Sequence, residues 1–429
     1  MSSKNQFALL LTRRFMPLFL TQFLGAFNDN FFKSALMMLI TYRLSDATGI
    51  DSRILVNVAA GIFILPFFVF AAPASDLADR YDRSTLMRWV KFAEIIIMAA
   101  AAIGFHVHNV FMLMIVLFMM GAQSTFFSPA KYSILPQHLH EDELIAGNGL
   151  IQMGTYLAIL TGTIFGGLLI LRENGIYWVG ALAVSIAAAG WLSSLLIPPT
   201  KPIEPERKIS FNIVGRTLEM FRDVVPMRKV FGAMLAISWF WLVGATFLAQ
   251  FPTFAKLNLG ADESVATSFL AIFSCGIGLG SMACNALLKS KVTTKYVASS
   301  AYGIALASLL LWFVSSSKPT VAPGTEIIGL WEFFAEPSNW TIIACLFVIA
   351  FCGGLYIVPL YAVMQTRAPE EKVSGVIACS NITDSIFMAT AALAASLLIS
   401  MGLTISQIFL LVAPTTFLVG LAVRLLILE

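Results

Sequence analysis

Long apolar runs, separated by short segments where Lys, Arg, Asp, Pro and Gly collect, recur along the whole chain. A helix needs about 20 predominantly apolar residues to cross about 30 Å of hydrocarbon. Runs of that order fall at 15–41, 54–75, 90–106, 109–129, 147–171, 177–197, 230–255, 266–288, 296–316, 340–364, 374–401 and 406–426, which predicts an all-α membrane protein with 12 transmembrane helices. One interruption is longer than the rest. Residues 198–229 open with "PPTKPIEPERK", a proline and charge density that marks a linker, with a short surface helix from Phe211 to Arg222 inside it. The chain thus divides into a six-helix bundle over 1–197, a linker over 198–229 and a second six-helix bundle over 230–429. Equal halves suggest a parallel repeat. "EDELIAGNG" from Glu141 resembles "PEEKVSGVI" from Pro369, and each follows a span that ends in a proline-containing stretch, at Pro129 and Pro359. Two such bundles around a central cavity form an alternating-access architecture.

Lys and Arg set the orientation, because they are retained on the cytoplasmic side. With the N-terminus inside, 21 of the 27 basic residues fall on inner segments. These include Arg13 and Arg14; Arg80, Arg83, Arg88 and Lys91; Lys131; and seven in the linker stretch from Lys201 to Lys229. Only Arg43, Arg53, Arg172, Lys256 and Lys318 fall outside, and Lys33 lies within a span. Both termini are therefore expected in the cytoplasm. The run after Arg13 and Arg14 is too long for a signal peptide and holds Asp29 and Lys33, so it reads as a retained first span.

Composition excludes several classes of function. Charged residues make up 12% of the chain, half the roughly 25% of soluble domains. The net charge of +3 is small and spread over loops, which argues against a nucleic-acid partner. All five cysteines lie in apolar segments and none forms a C-x-x-C pair, so they read as packing residues. "HLHEDE" from His138 lies in a short solvated loop rather than a metal site, and no cofactor is implied. "CGIGLG" from Cys275 has no strand before it; Gly276 and Gly280, like Gly162 and Gly166, read as points of close helix packing. The outer "LWEFFAEPSNW" from Leu330 resembles an interfacial aromatic belt facing membrane lipid. No nucleophile and base stand in a catalytic arrangement, so an enzyme is not expected.

The candidate chemistry lies inside the spans. "FLGAFNDNFFKSALMMLI", from Phe23 to Ile40, carries Asn28, Asp29, Asn30 and Lys33 in the middle of its apolar run. At helical spacing Gln22, Ala26, Asp29 and Lys33 share one face, with Gly25 beside them. An acid at mid-span costs about 2.5–3.5 kcal/mol on insertion scales, so it is expected to face an aqueous cavity or a partner. Lys33, one turn on, could be that partner; the longer polar stripe favours a cavity-lining site. Span four holds Gln123, Ser124, Thr125 and Ser128 and ends with Lys131 and Tyr132; span seven holds Trp239, Phe240, Trp241 and Gln250; Asn381 and Asp384 share a face in span eleven. With 35 Phe and 18 Met, the lining suits a large amphiphilic substrate better than a sugar.

"SDLADRYDRS", from Ser75, resembles the loop signature G-x-L-A-D-R-x-G-R-R of the major facilitator superfamily. Leu77, Ala78, Asp79, Arg80 and Arg83 match it, while Ser75 and Asp82 stand where the signature has glycine. In that family the acid caps a neighbouring helix and pairs with bases, so Asp79, Arg80 and Arg83 are expected to hold an inner gate. "QFLGAFNDNFFKSAL", "FFSPAKYSILP" and "IAGNGLIQM" together resemble one branch of the superfamily, the bacterial lysophospholipid transporters, including those fused to acyltransferases. The resemblance implies movement of lysophospholipids, chiefly lysophosphatidylethanolamine, from the outer to the inner leaflet of the cytoplasmic membrane by alternating access. It also implies site roles for Asp29, Lys131, Asn381 and Asp384. Leu248 stands where some members carry an arginine, which leaves Lys33 as the expected phosphate partner. The chain shows no H-x-x-x-x-D acyltransferase signature, so the transporter stands without its enzyme, as a monomer with a separate acyltransferase as its candidate partner. The rival expectations are a proton-coupled exporter of drugs or metabolites, titrating Asp29, and a scaffold that docks an acyltransferase through the linker.

Overall fold

The computed structural model describes residues 6–41, 52–210, 212–318 and 327–426. Arg43 and Phe211, used in the sequence reading, lie outside the described residues. Six long helices precede the linker: α1 (Met16–Leu39), α2 (Ser52–Arg80), α3 (Arg83–His106), α4 (Val110–His138), α5 (Leu144–Ile170) and α6 (Gly175–Leu195). The linker forms α7 (Ile213–Val224), two residues further along than its expected place. Six more follow: α8 (Arg228–Thr253), α9 (Glu263–Leu288), α10 (Val297–Ser316), α11 (Trp340–Arg367), α12 (Val373–Ser400) and α13 (Ile405–Leu426). Ten of the long helices are apolar enough to cross a membrane by length and composition. The other two, α1 and α3, are the ones that carry Asp29, Lys33, Lys91 and Glu94 along their length.

Several helices run past their expected ends. The apolar run suggested 109–129 for the fourth span, yet α4 continues through Pro129 and Pro136 to His138. Prolines are tolerated inside membrane helices because hydroxyls and neighbouring helices re-satisfy the freed backbone; here the Tyr132 carbonyl, which loses its helical donor to Pro136, accepts from Gln365 Nε2 of α11 at 3.0 Å. The third span was expected to begin at residue 90, but Asp82 caps α3, accepting from Ser84 N at 3.0 Å, and the helix starts at Arg83. Lys91 is thereby moved from an inner loop into a helix, where its side chain is buried. Lys131 likewise lies inside α4. The excess of basic residues on the inner segments survives the removal of both.

The two stretches that suggested a repeat occupy matching places. Glu141–Glu143 and Glu370–Lys372 each form one 3-10 turn leading into α5 and α12, and Pro129 and Pro359 each sit inside the helix before that turn. Packing repeats as well: α1 lies on α5, α2 on α4 and α3 on α6, as α8 lies on α12, α9 on α11 and α10 on α13. Small residues permit the closest approaches. A Cβ on Gly162 or Gly166 would run into the α1 backbone at Phe27 or Phe31, and one on Gly280 into the α11 backbone at Phe351.

One apolar cluster runs through the second half and joins it to the first, taking in Phe15 and Leu139 as well as Phe240 and Val376. A second, from Phe31 to Ala187, belongs to the first half alone. The halves meet near the linker end through Gln137 with Glu370 and Asn148 with Gln365, and a cavity lies between them.

Candidate functional site

A cavity of about 470 Å³ lies between the halves. Helix α1 gives it a polar stripe. Gln22, Gly25, Ala26, Asp29, Asn30, Lys33 and Met37 all line it, at the spacing that one face of a helix demands. Facing them are Gln123, Ser124, Ser128, Lys131 and Tyr132 of α4 and Asn381, Asp384 and Ser385 of α12. Phe63, Phe67, Phe127, Trp241 and Met388 supply apolar wall. The cavity reaches Met37, Ala59 and Leu117 towards the end opposite the linker.

The charged groups of the site are held mostly by neutral partners. Asp29 accepts from Ser124 Oγ at 2.6 Å. Lys33 lies over the Phe63 ring, 4.2 Å from its centroid, a cation–π contact, and makes no ion pair or hydrogen bond among the described residues. The alternative of a closed Asp29–Lys33 salt bridge is therefore not what the structure contains. Lys131 lies over the Tyr132 ring at 4.4 Å. Asp384 accepts from Ser238 Oγ at 2.6 Å. Asn381 donates from Nδ2 to Ser128 Oγ at 2.9 Å, a direct contact between the halves.

Four of the expected site residues lie elsewhere. Asn28 points away from the cavity, donating to Glu94 Oε1 at 3.0 Å and to the Ala183 carbonyl at 3.3 Å. Trp239 and Phe240 turn into the second bundle, where Trp239 Nε1 donates to Thr416 Oγ1 at 3.1 Å and Phe240 is 6% exposed. Gln250 falls beyond the cavity, near the end of α8. The reason is angular. Successive helical residues differ by about 100°, so in "SWFW" only Trp241 meets the cavity, beside Tyr361. Leu248 packs against the core. Sequence reasoning missed Tyr361, Gln152 and Lys91 in the lining; no local pattern distinguishes them from packing residues or loop charges.

Beneath the cavity the linker end is sealed. Tyr132 and Tyr361 stack across the halves with centroids 4.4 Å apart and planes 5° from parallel. Gln152 Nε2 donates to the Tyr132 hydroxyl at 3.1 Å. Below them Asn148 Nδ2 donates to Gln365 Oε1 at 2.6 Å, Gln365 Nε2 to the Tyr132 carbonyl at 3.0 Å, and Gln137 Nε2 to Glu370 Oε1 at 3.1 Å.

The signature loop behaves as a clasp with a partner the sequence reading did not name. Asp79 is 3.7 Å from Arg83, which donates to Ser374 Oγ at 3.5 Å in the other half. The linker supplies the closer bases: Arg207 Nη1 is 2.7 Å from Asp79, and Arg207 and Arg216 reach the buried Asp76 at 3.3 and 3.0 Å. Lys372 of the second half is 3.3 Å from Asp223 of α7. Arg80, expected in the same gate, stands apart over the Tyr81 ring at 5.5 Å. In the "HLHEDE" loop Glu143 is engaged by Arg14, at 2.6 and 2.7 Å.

Two packed six-helix bundles, a central polar cavity between them and a charged loop clasped at one end define a multi-pass membrane transporter. The family model of the Major Facilitator Superfamily matches residues 18–338, and the chain belongs to that superfamily. Among curated relatives it is similar to the lysophospholipid transporter LplT of Photorhabdus laumondii, 24% identical over 92% of this chain and 91% of that protein. It is likewise similar to LplT of Pectobacterium carotovorum, 26% identical over 92% and 89%. Solved structures share the fold: the Escherichia coli fucose:proton symporter FucP, with a TM-score of 0.71 at 13% identity over 96% of this chain and 97% of that one, and the human organic anion transporter MFSD10, with 0.73 at 12% over 95% and 98%.

Proposed function

We propose that this protein carries lysophospholipids, chiefly lysophosphatidylethanolamine, from the outer to the inner leaflet of a bacterial cytoplasmic membrane by alternating access. One observation carries the reading: Asp29 and Lys33 line one cavity from one face of α1 without closing on each other. A zwitterionic headgroup brings both complementary charges, its ammonium for Asp29 or Asp384 and its phosphate for a lysine. Phe63, Phe67, Trp241 and Met388 offer apolar surface to its single chain. The names of the LplT relatives support this substrate class. The linker end is cytoplasmic in this reading, so the sealed Tyr132–Tyr361 layer is an inner gate. The units that rock are 1–197 and 230–429, joined by 198–229. A monomer suffices for this cycle, and re-acylation of the product would fall to a separate acyltransferase.

A second reading, export driven by protons, is favoured by the carboxylates of Asp29 and Asp384, which are held by serine hydroxyls rather than by bases. Uptake of labelled lysophosphatidylethanolamine into cells lacking such a transporter, with and without this chain, separates the two. Uptake that Asp29→Asn and Lys33→Ala reduce at least 10-fold, roughly the loss of one charge-assisted contact, and that survives a protonophore supports the lipid carrier. Absence of uptake by well-expressed protein overturns it.

A further inference from the structure

Lys91 is a cation in the cavity wall whose position is fixed from outside the cavity. Its side chain is 1% exposed, and Nζ donates to Glu94 Oε2 at 2.6 Å, one turn further along α3. Glu94 does not line the cavity. Its carboxylate also accepts from Gln123 Nε2 on α4 at 3.0 Å and from Asn28 Nδ2 on α1 at 3.0 Å. Groups on three helices thus orient one ammonium. Room for that ammonium comes from Gly25, since a Cβ at position 25 would collide with Lys91 Nζ. All three cavity lysines lie over aromatic rings, Lys91 over Phe127 at 5.1 Å, but Lys33 and Lys131 have no carboxylate ligand among the described residues. An ammonium has three N–H donors. Glu94 takes one, and the others remain for an anion in the cavity, where a charge-assisted bond gains from the low dielectric.

We propose that Lys91 is the fixed anion hook of the cavity, that it takes the phosphate of a single-chain phospholipid, and that Glu94 is the residue that positions it. This rests on the lysophospholipid reading and adds the group that tells a phosphate-bearing amphiphile from one without phosphate. Asn28 then has a role after all, one step removed: it holds the carboxylate that holds the lysine.

The test is binding of fluorescent lysophosphatidylethanolamine and of a monoacylglycerol with the same chain to purified protein in nanodiscs. Gly25→Ala displaces the ammonium without removing a charge. Lys91→Met with Glu94→Gln removes the pair together, leaving no orphaned buried charge. Each is expected to weaken binding of the phospholipid about 10-fold or more, the loss of a hydrogen bond to a charged group, and to leave the monoacylglycerol unchanged. Glu94→Gln alone should raise the transport KM with little change in maximal rate. Millimolar inorganic phosphate that competes with lipid on the wild type and not on the double variant would support the hook with free phosphate as a second ligand. A wild-type preference for phosphate that all these variants retain overturns the proposal and leaves the transport reading standing. Wild-type protein that binds neither lipid overturns both.

Discussion

Asp82 shows how one side chain can join three segments. It stands where the superfamily signature has glycine, and it accepts from Ser84 N and Oγ, from Thr85 Oγ1 and from Thr200 N and Oγ1, at 2.7–3.0 Å. It therefore caps α3 and pins the start of the linker. Burial pushes its carboxyl up, but the hydrogen bonds from Thr200 and Ser84 outweigh burial and hold it at about 2, below the ordinary 3.8. A folded value below the unfolded one means that this stability is present above about pH 4 and is lost as pH falls towards about 2. Asp82→Ala should flatten the acid limb of thermal stability over that window and cost about 1 kcal/mol at neutral pH as a lost cap, read from melting curves at stepped pH. A tighter constraint operates at Gly280, where a Cβ meets the Phe351 carbonyl of α11, rigid backbone that cannot yield. Gly280→Ala is expected to destabilise by about 1–3 kcal/mol. Gly244→Ala, with nothing within 4 Å of the new Cβ, should leave the melting midpoint unchanged or slightly raised, because alanine suits a helix interior better than glycine. Gly276 and Gly280 were legible as packing glycines because no strand precedes them. The role of Asp82 was not, since its partner Thr200 is more than a hundred residues away in sequence.

Elements differ in how plainly their sequence states their face. The α1 stripe from Gln22 to Lys33 is polar against an apolar background, so helical spacing alone identifies the side that lines the cavity. Helix α8 is aromatic on several sides, and spacing could not choose Trp241 over Trp239 or Phe240. Helix α3 misled because its first turns carry Arg83, Arg88 and Lys91, which read as a loop until a cap at Asp82 makes them helical. The linker makes its own contribution. Asp76 is fully buried and depends on Arg207 and Arg216, both from outside the bundle. Breaking a buried pair by removing one partner costs about 3–5 kcal/mol. Arg207→Gln with Arg216→Gln should therefore weaken the closed linker end and shift the protein towards the conformation open on that side. Spin labels at Gln137→Cys and Glu370→Cys, in a background without the native cysteines, would report a longer distance population in the double variant. An unchanged distance distribution would show that the arginines only stabilise the linker.

At the scale of the whole molecule, the repeated pairing of helices and the apolar cluster shared by the halves frame the proposed rocking. Helices α2 and α12 meet across the halves, as do α5 and α9. Asn381–Ser128 and the Tyr132–Tyr361 stack are contacts that the proposed rocking would break. Tyr361→Ala removes one face of that stack and its buried area, and should make the linker end leak. Faster labelling of Asn148→Cys by a water-soluble maleimide in inside-out vesicles would reveal this. The sequence by itself determined the class of protein: apolar length counts the helices, basic residues favour one side, proline and charge density locate the linker, and a misplaced acid and base on α1 indicate a cavity. Those properties are local, set by hydrocarbon thickness and by the cost of burying charge. Tertiary structure alone decided which polar residues share that cavity and which serve each other outside it. Lys91 lines the cavity because α1 leaves a gap at Gly25, Asn28 leaves it for Glu94, and the linker arginines close on Asp76 and Asp79. Each of these outcomes depends on the angle and depth at which separate helices meet, and no spacing within one helix encodes that.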